Sequence, residues 1–366
     1  MSEYVNNPKV SFVIPVYNAE KTIKRCVNSI LNQTYRNIEI VCVNDGSKDN
    51  SLAILKNLQA QDSRIVIIDQ KNQGPCMARK NGILRASGDY IQSCDADDYL
   101  LNKKSCDILI ELFKKNKNVQ MIQFGHFDKI KGFKNKKTTK INGVISKKEL
   151  FDKYYKDFIG NANGQAVTVT LWDKIYESKI MKSAVQKRDL FVKVGEDLNV
   201  NLKAFDEEQL RNILIIPDCF YMYIKGKGMM NDADEYALEY YGQLKSMQMD
   251  FCDKWKLCEE AKNHCNLESI YYLLNIVIDL VYVKKKSDEQ IINYLNEAEN
   301  FECIKIAKDY FKLRPKEELF DELIFLVNAS PEEYLDYVKR TKKKPKGYIR
   351  RCFDYALKKI GVKKTN

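Results

Sequence analysis

The sequence predicts an α/β protein, with a Rossmann-like, mostly parallel central sheet followed by an all-helical region. Three observations carry this. Short, nearly continuous apolar runs alternate with amphipathic stretches through brief connections over the first hundred residues. Polar and acidic clusters fall just after the apolar runs, at what would be the carboxyl ends of the strands, where open α/β sheets bind their ligands. From Asp234 onward the apolar spacing is helical throughout.

Each element follows from its residues. Lys9–Pro15 is nearly all apolar, as a buried parallel strand is. Glu20–Asn32 repeats apolar residues at Ile23, Val27, Ile30 and Leu31, a helical face. A second strand, Ile38–Val43, ends in the polar turn Asn44–Asp49. A helix over Asn50–Gln61 and a strand over Arg64–Asp69 come next. Gly74-Pro75 opens a helix running to Arg85. Tyr90–Cys94 is a short strand that runs into Asp95, Asp97 and Asp98. Beyond it the spacing predicts a helix over Lys104–Lys115 and a strand over Val119–Phe124. An exposed loop or hairpin follows over Lys129–Lys140, then a helix over Ser146–Asp157 and a strand through Val167–Tyr176. Gly195–Asn199 stands at the start of an apolar helix, and Ile213–Ile216 and Cys219–Tyr223 read as late strands. The basic stretch Lys225–Met230 reads as a loop. Helices are expected over Tyr236–Cys258, Leu267–Lys284, Asp288–Phe311, Glu317–Asn328 and Pro331–Arg340.

Three carboxylates at a strand terminus repel one another unless a cation neutralises them. A Mg²⁺- or Mn²⁺-sized ion takes oxygen ligands and shares its shell with substrate phosphates, so the acidic stretch reads as a metal–diphosphate site. The bland alternative is an acidic turn capping the next helix. With only two histidines, His126 and His264, acid–base work falls to carboxylates. The eleven cysteines lack paired spacing and several lie in apolar runs, which points to a reducing compartment. Cys252, Cys258, His264 and Cys265 match no common zinc spacing. The first residues do not read as a secretory signal, and no apolar run reaches bilayer-spanning length.

The order and spacing of five motifs over residues 9–101 resemble the nucleotide-binding half of the family 2 inverting glycosyltransferases of GT-A fold, enzymes of bacterial cell-surface glycans. The motifs are Pro15-Val16-Tyr17-Asn18, Ser29–Tyr35, Val43–Asp49, Gly74 through Ala78-Arg79, and Asp95-Ala96-Asp97-Asp98. The resemblance implies that Pro15, Tyr17 and Asp45 contact the base, Tyr17 by stacking. It places Asp95 near the ribose, Arg79 near the phosphates, and Asp97 on a divalent metal, Mn²⁺ or Mg²⁺. Asp98 is a further candidate. Asn44 and Lys80 depart from the family's usual residues. Trp172-Asp173-Lys174-Ile175-Tyr176 resembles the family's Trp-x-Lys-x-Tyr segment; the plain alternative is a strand packing Trp172 into the core, which is compatible with Lys174 facing the site. Glu196-Asp197 matches the Glu-Asp that carries the family's catalytic base, which would be Asp197.

The implied organisation is a GT-A domain over residues 1–232, with a nucleotide-binding half at 1–101 and an acceptor half at 102–232. A helical domain at 233–340 and a basic amphipathic tail at 341–366 complete it. The implied activity is metal-dependent, inverting transfer from a nucleoside-diphosphate sugar, UDP-linked, to a hydroxyl of a cell-envelope glycan or glycolipid. A nucleotidyltransferase on sugar phosphates or a non-catalytic nucleotide-sugar-binding scaffold is the alternative. A nucleotidyltransferase would carry a Gly-rich, basic loop after the first strand, which Tyr17-Asn18 is not.

The net charge of +11 belongs to the tail: residues 339–366 carry twelve Lys/Arg and one acid, and the remainder balances. Tyr348, Ile349, Cys352, Phe353, Ala356, Leu357 and Ile360 share one helical face, with Arg350, Arg351, Lys358 and Lys359 around the other. Such a helix suits an anionic membrane surface, the favoured reading; a helix packed on the domain with a solvated face, or a disordered tail, is the alternative. Nucleic acid is not expected, and the expected location is cytoplasmic, peripheral on the inner face of the membrane.

Overall fold

The computed structural model describes residues 7–130, 133–139, 141–154, 167–186, 195–224, 237–257, 259–341 and 348–359. The chain divides into two compact units, Met1–Gly228 and Met229–Asn366.

The first unit opens with four parallel strands: β1 (Val10–Val16), β2 (Ile38–Asp45), β3 (Ile65–Gln70) and β4 (Tyr90–Ser93). Their crossovers are helices α1 (Ile23–Leu31), α2 (Ser51–Gln61) and α3 (Pro75–Arg85). β2 is buried along its whole length, as its unbroken apolar run requires. A methyl group on Gly82 would stand 2.5 Å from Val13 Cγ1 and 3.0 Å from Val43 Cγ2, so its lack of a side chain is what lets α3 lie against β1 and β2. Glu39 is a buried charge inside β2. Its carboxylate accepts from the Ser11 and Ser87 hydroxyls and from the Ser87 and Gly88 N–H groups. These bonds fix the chain where it enters β4 and, through it, the acidic turn.

The sheet then becomes mixed. A two-residue strand, β5 (Tyr99–Leu100), precedes α4 (Ser105–Lys115) and the long β6 (Met121–Ile130). β7 (Phe133–Lys137) folds back on β6 as a hairpin, and β8 (Gly143–Ser146) leads into α5 (Lys147–Lys153). β9 (Lys174–Glu177) pairs antiparallel with both β4 and β6. It is followed by α6 (Ser178–Gln186), α7 (Glu196–Asp206) and β10 (Asn212–Ile224). Among the described residues the order is β3-β2-β1-β4-β9-β6-β10-β5, with β7 on β6 and β8 on β10. The two late strands expected from sequence are one strand, broken in register around Cys219. Only the last residues of the expected 167–176 strand pair into the sheet. The expected helix over 146–157 is described only as far as Lys153.

The second unit is helical: α8 (Ala237–Lys254), α9 (Glu259–Tyr282), α10 (Asp288–Ala298), α11 (Glu302–Lys312), α12 (Asp321–Asn328), α13 (Pro331–Arg340) and α14 (Tyr348–Lys359). The helix expected over 288–311 is two, α10 and α11, because the chain turns at Glu299–Phe301. No helix among the described residues is long and apolar enough to cross a membrane.

The tail helix corrects an expectation. Ile349, Phe353 and Leu357 lie in the core of this unit, with the Phe353 ring 5.6 Å from Tyr271 and 6.1 Å from Phe311. The apolar face that was to enter a membrane is occupied by packing, and Arg351 remains exposed. The loop expected at 225–230, the lysines at 342–344 and residues 360–366 lie outside the described residues.

Candidate active site

The carboxyl edge of the sheet gathers the polar residues. After β1, Tyr17 is half exposed and Pro15 is half-buried. The loops after β1 and β2 are stitched together. Asn18 Oδ1 accepts from Lys48 N at 2.8 Å, Ala19 N donates to Ser51 Oγ at 2.8 Å, and Glu20 N donates to Asp49 Oδ2 at 3.0 Å. At the end of β2 the buried Asp45 accepts from Gln73 N, Gly74 N and Gln70 Nε2, each at 2.8 Å. Its carboxylate therefore frames the turn that starts α3, and does so with three of its lone-pair sites.

Past β4 the three acids take different positions. Asp98 is fully buried, and its Oδ1 accepts from Ile224 N at 2.7 Å, tying β10 to the acidic turn. Desolvation first, then Asp95, pushes its pKa up to about 8. Asp95 N donates to the Tyr221 hydroxyl at 2.9 Å, and its carboxylate meets Arg79. Asp97 is the exposed one, and its backbone carbonyl accepts from Arg25. No set of three His, Cys, Asp or Glu side chains among the described residues converges into a metal cage. One exposed carboxylate beside two committed ones fits a cation that completes its shell with water and diphosphate oxygens.

Arg79 joins the two halves of the site. Its buried guanidinium lies 2.8 Å from Asp95 Oδ1, 3.1 Å from Glu196 Oε1 and 3.4 Å from Asp197 Oδ1. Burial opposes its charge, but Asp197, Asp95 and Glu196 together hold its pKa well above the usual value. Glu196 and Asp197 begin α7, which Gly195 enters with φ of 78°, a left-handed conformation that glycine takes without strain. Asp197 Oδ2 accepts from Leu171 N at 3.2 Å. Desolvation pushes Asp197 up to about 7, with Glu196 and Asp95 adding to the rise and Arg79 and the Leu171 N–H opposing it.

Two sequence candidates turn away from any open space. Trp172 is buried, stacked on Tyr221 at 4.7 Å and Tyr223 at 5.3 Å, with His126 edge-on at 4.6 Å. Lys174 is fully buried beside Asp173 and does not face the site. β9 is buried on both faces, so Lys174 lies inside the protein, and a charged side chain there needs the partner that Asp173 supplies. Arg79, expected near the phosphates, lies among carboxylates, and among the described residues Arg25 is an exposed cation beside the acidic turn. The sequence reading missed Gln70, the Tyr221 hydroxyl and the Leu171 N–H. The last is a backbone group and carries no side-chain signal.

Residues 11–171 match the family model described as Glycosyl transferase family 2. The chain is 30% identical over 235 residues to the glycosyltransferase GlyA of Streptococcus pneumoniae, covering 61% of this chain and 31% of that one. It is 26% identical over 303 residues to a poly(ribitol-phosphate) beta-glucosyltransferase of Bacillus spizizenii, covering 80% of this chain and 44% of the relative. It thus spans less than half the length of both. In fold it is similar to S. aureus TarS 1-349, solved in complex with UDP-GlcNAc, with a TM-score of 0.60, 18% identity and 90% coverage of each chain.

Proposed function

Given that residues 11–171 form a family 2 glycosyltransferase domain on a GT-A fold, we propose that the protein transfers a sugar from a uridine-diphosphate donor to a hydroxyl of a cell-envelope glycan, with inversion. The observation that carries the reading is the Arg79 bridge, which brings the acidic turn after β4 together with Asp197 at the start of α7. Donor-side and acceptor-side carboxylates are thereby held around one cation.

The donor reading draws on Tyr17, the half-exposed ring at the end of β1, and on the UDP-GlcNAc named with TarS. The acceptor class draws on the poly(ribitol-phosphate) named for the Bacillus relative. In the step itself the acceptor hydroxyl attacks the anomeric carbon opposite the diphosphate. The new C–O bond forms as the bond to the diphosphate oxygen breaks, and the hydroxyl proton passes to Asp197. A single displacement turns an α-linked donor into a β-glycoside. A carboxylate raised to about 7 is well matched to accept a proton near neutral pH. A divalent cation, Mn²⁺ or Mg²⁺, held by Asp97 would stabilise the charge on the leaving diphosphate as a Lewis acid.

Because the apolar face of α14 is packed, the tail's role at a membrane reduces to charge. Its basic residues would draw the enzyme to an anionic leaflet, where a lipid-linked acceptor resides.

The test is Asp197→Asn. Transfer should fall by about 10²–10⁴-fold, the usual worth of a general base, while uridine diphosphate binds as in wild type. Intact transfer with unchanged donor binding would remove Asp197 from the mechanism.

A further inference from the structure

The buried pair Asp173–Lys174 has no part in the transfer step described above, yet all three donors of its ammonium group and both oxygens of its carboxylate are hydrogen-bonded. Both side chains are fully buried, 2.8 Å apart. A buried ion pair rarely stabilises a fold more than apolar residues of the same size would, so its geometry is the more informative property. An ammonium group has three N–H donors. Here they reach Asp173 Oδ1 at 2.8 Å, Thr168 Oγ1 at 2.6 Å and the Thr170 carbonyl at 2.5 Å. Asp173 Oδ2 in turn accepts from the Thr168 hydroxyl at 2.5 Å. From the other side, Asn201 on α7 donates to the Val169 carbonyl at 2.7 Å and the Thr170 carbonyl at 3.3 Å, and the Tyr176 hydroxyl holds Asn201 Oδ1. The turn is clamped from β9 and from α7, and the next residue along, Leu171, donates its N–H to Asp197.

We propose that Lys174 and Asp173 are positioning residues for the general base: they fix the 168–171 turn so that the Leu171 N–H holds one oxygen of Asp197 in place. This rests on the reading of Asp197 as the base. The groups whose charge or titration acts on Asp197 come from several elements. They are Arg79 and the Cys76 thiol from α3, Asp95 from the acidic turn, Lys174 and Tyr176 from β9, and Glu196 from α7 itself. Arg79, Lys174 and the Leu171 N–H favour the ionised carboxylate, whereas Glu196, Asp95 and burial oppose it. Loosening the turn therefore makes the base harder to ionise as well as misplacing it.

The experiment compares full-length Lys174→Met, Thr168→Val and Thr168→Ser with wild type and with Asp197→Asn. It reads sugar transfer against pH, the donor KM, and direct binding of uridine diphosphate. Lys174→Met and Thr168→Val should lower kcat about tenfold or more, because a small misplacement of a reacting group is costly. They should also move the acid limb of the profile to higher pH and leave the donor KM and nucleotide binding unchanged. Thr168→Ser keeps the hydroxyl and should restore the wild-type limb. Wild-type kcat and an unmoved limb in Thr168→Val would overturn the proposal even if Lys174→Met fails to fold. Loss of thermal stability in either variant with a wild-type profile would make the pair a packing feature only, and also overturns it. If Asp197→Asn stays active, the base reading itself falls, an outcome separable from the other two.

Discussion

At the scale of single residues, Arg79 decides how the site is charged. Three carboxylates surround it, Asp95, Glu196 and Asp197, and its charge opposes the rise that burial imposes on Asp197. Replacing it, as in Arg79→Met, leaves Asp95 and Glu196 pressing on Asp197 with only Lys174 and the Leu171 N–H to offset them. Asp197 must be deprotonated to act as base, so activity is present above its pKa and lost below it. The variant's acid limb should rise above the wild-type position near 7, and transfer at neutral pH should fall by roughly a hundredfold. A pH–rate profile checks both. The acids themselves were legible in the sequence, because Asp95, Asp97 and Asp197 stand in recognisable patterns. The role of Arg79 was not, since its partners are 16 and 117 residues away. Nor was the inward aim of Lys174, because a charged residue in a short strand shows no sign of which face it occupies until its neighbour on the other strand is known.

At the scale of elements, the strand–helix alternation of the first hundred residues was readable because β1, β2 and β3 are largely apolar runs and amphipathic helices separate them. The short antiparallel pieces were not. β5 has two residues and β8 four, too few to show a period, and β9 owes its place to pairing with β4 and β6 on both sides. Apolar spacing also runs on across the turn between α10 and α11, which hides the break. Glu39 is another feature that pattern reading passes over, being a lone acid within an apolar strand. Burial alone would raise its pKa, but the hydrogen bonds from Ser11, Ser87 and Gly88 outweigh this and hold it below the usual range. A lowered carboxylate contributes stability above its unfolded pKa and loses it as pH falls through the folded one. Glu39→Gln should cost about 1–3 kcal/mol in urea unfolding at neutral pH, with the difference from wild type narrowing in acid. A cost that does not change with pH would show that charge plays no part.

For the whole molecule, the charge distribution and the packing give different answers about the tail. The helical face at 348–360 was visible in the sequence, but an amphipathic helix looks the same whether its apolar side meets lipid or protein. Packing of Phe353 and Leu357 settles the apolar side in favour of protein. What is left for a membrane is electrostatic. Binding to vesicles rich in anionic lipid should therefore be abolished by raised salt and by replacing the basic residues of 339–364 with glutamine, and neutral vesicles should not bind at all. Salt-resistant binding to neutral vesicles would mean that α14 leaves its core.

The most direct test of the account as a whole is turnover by the purified full-length chain. It is incubated with a panel of nucleotide sugars, with and without Mn²⁺ or Mg²⁺, and nucleoside diphosphate release is measured. The account predicts metal-dependent release from a uridine-diphosphate donor, lost in Asp197→Asn. Failure to release or to bind any nucleoside diphosphate would contradict it.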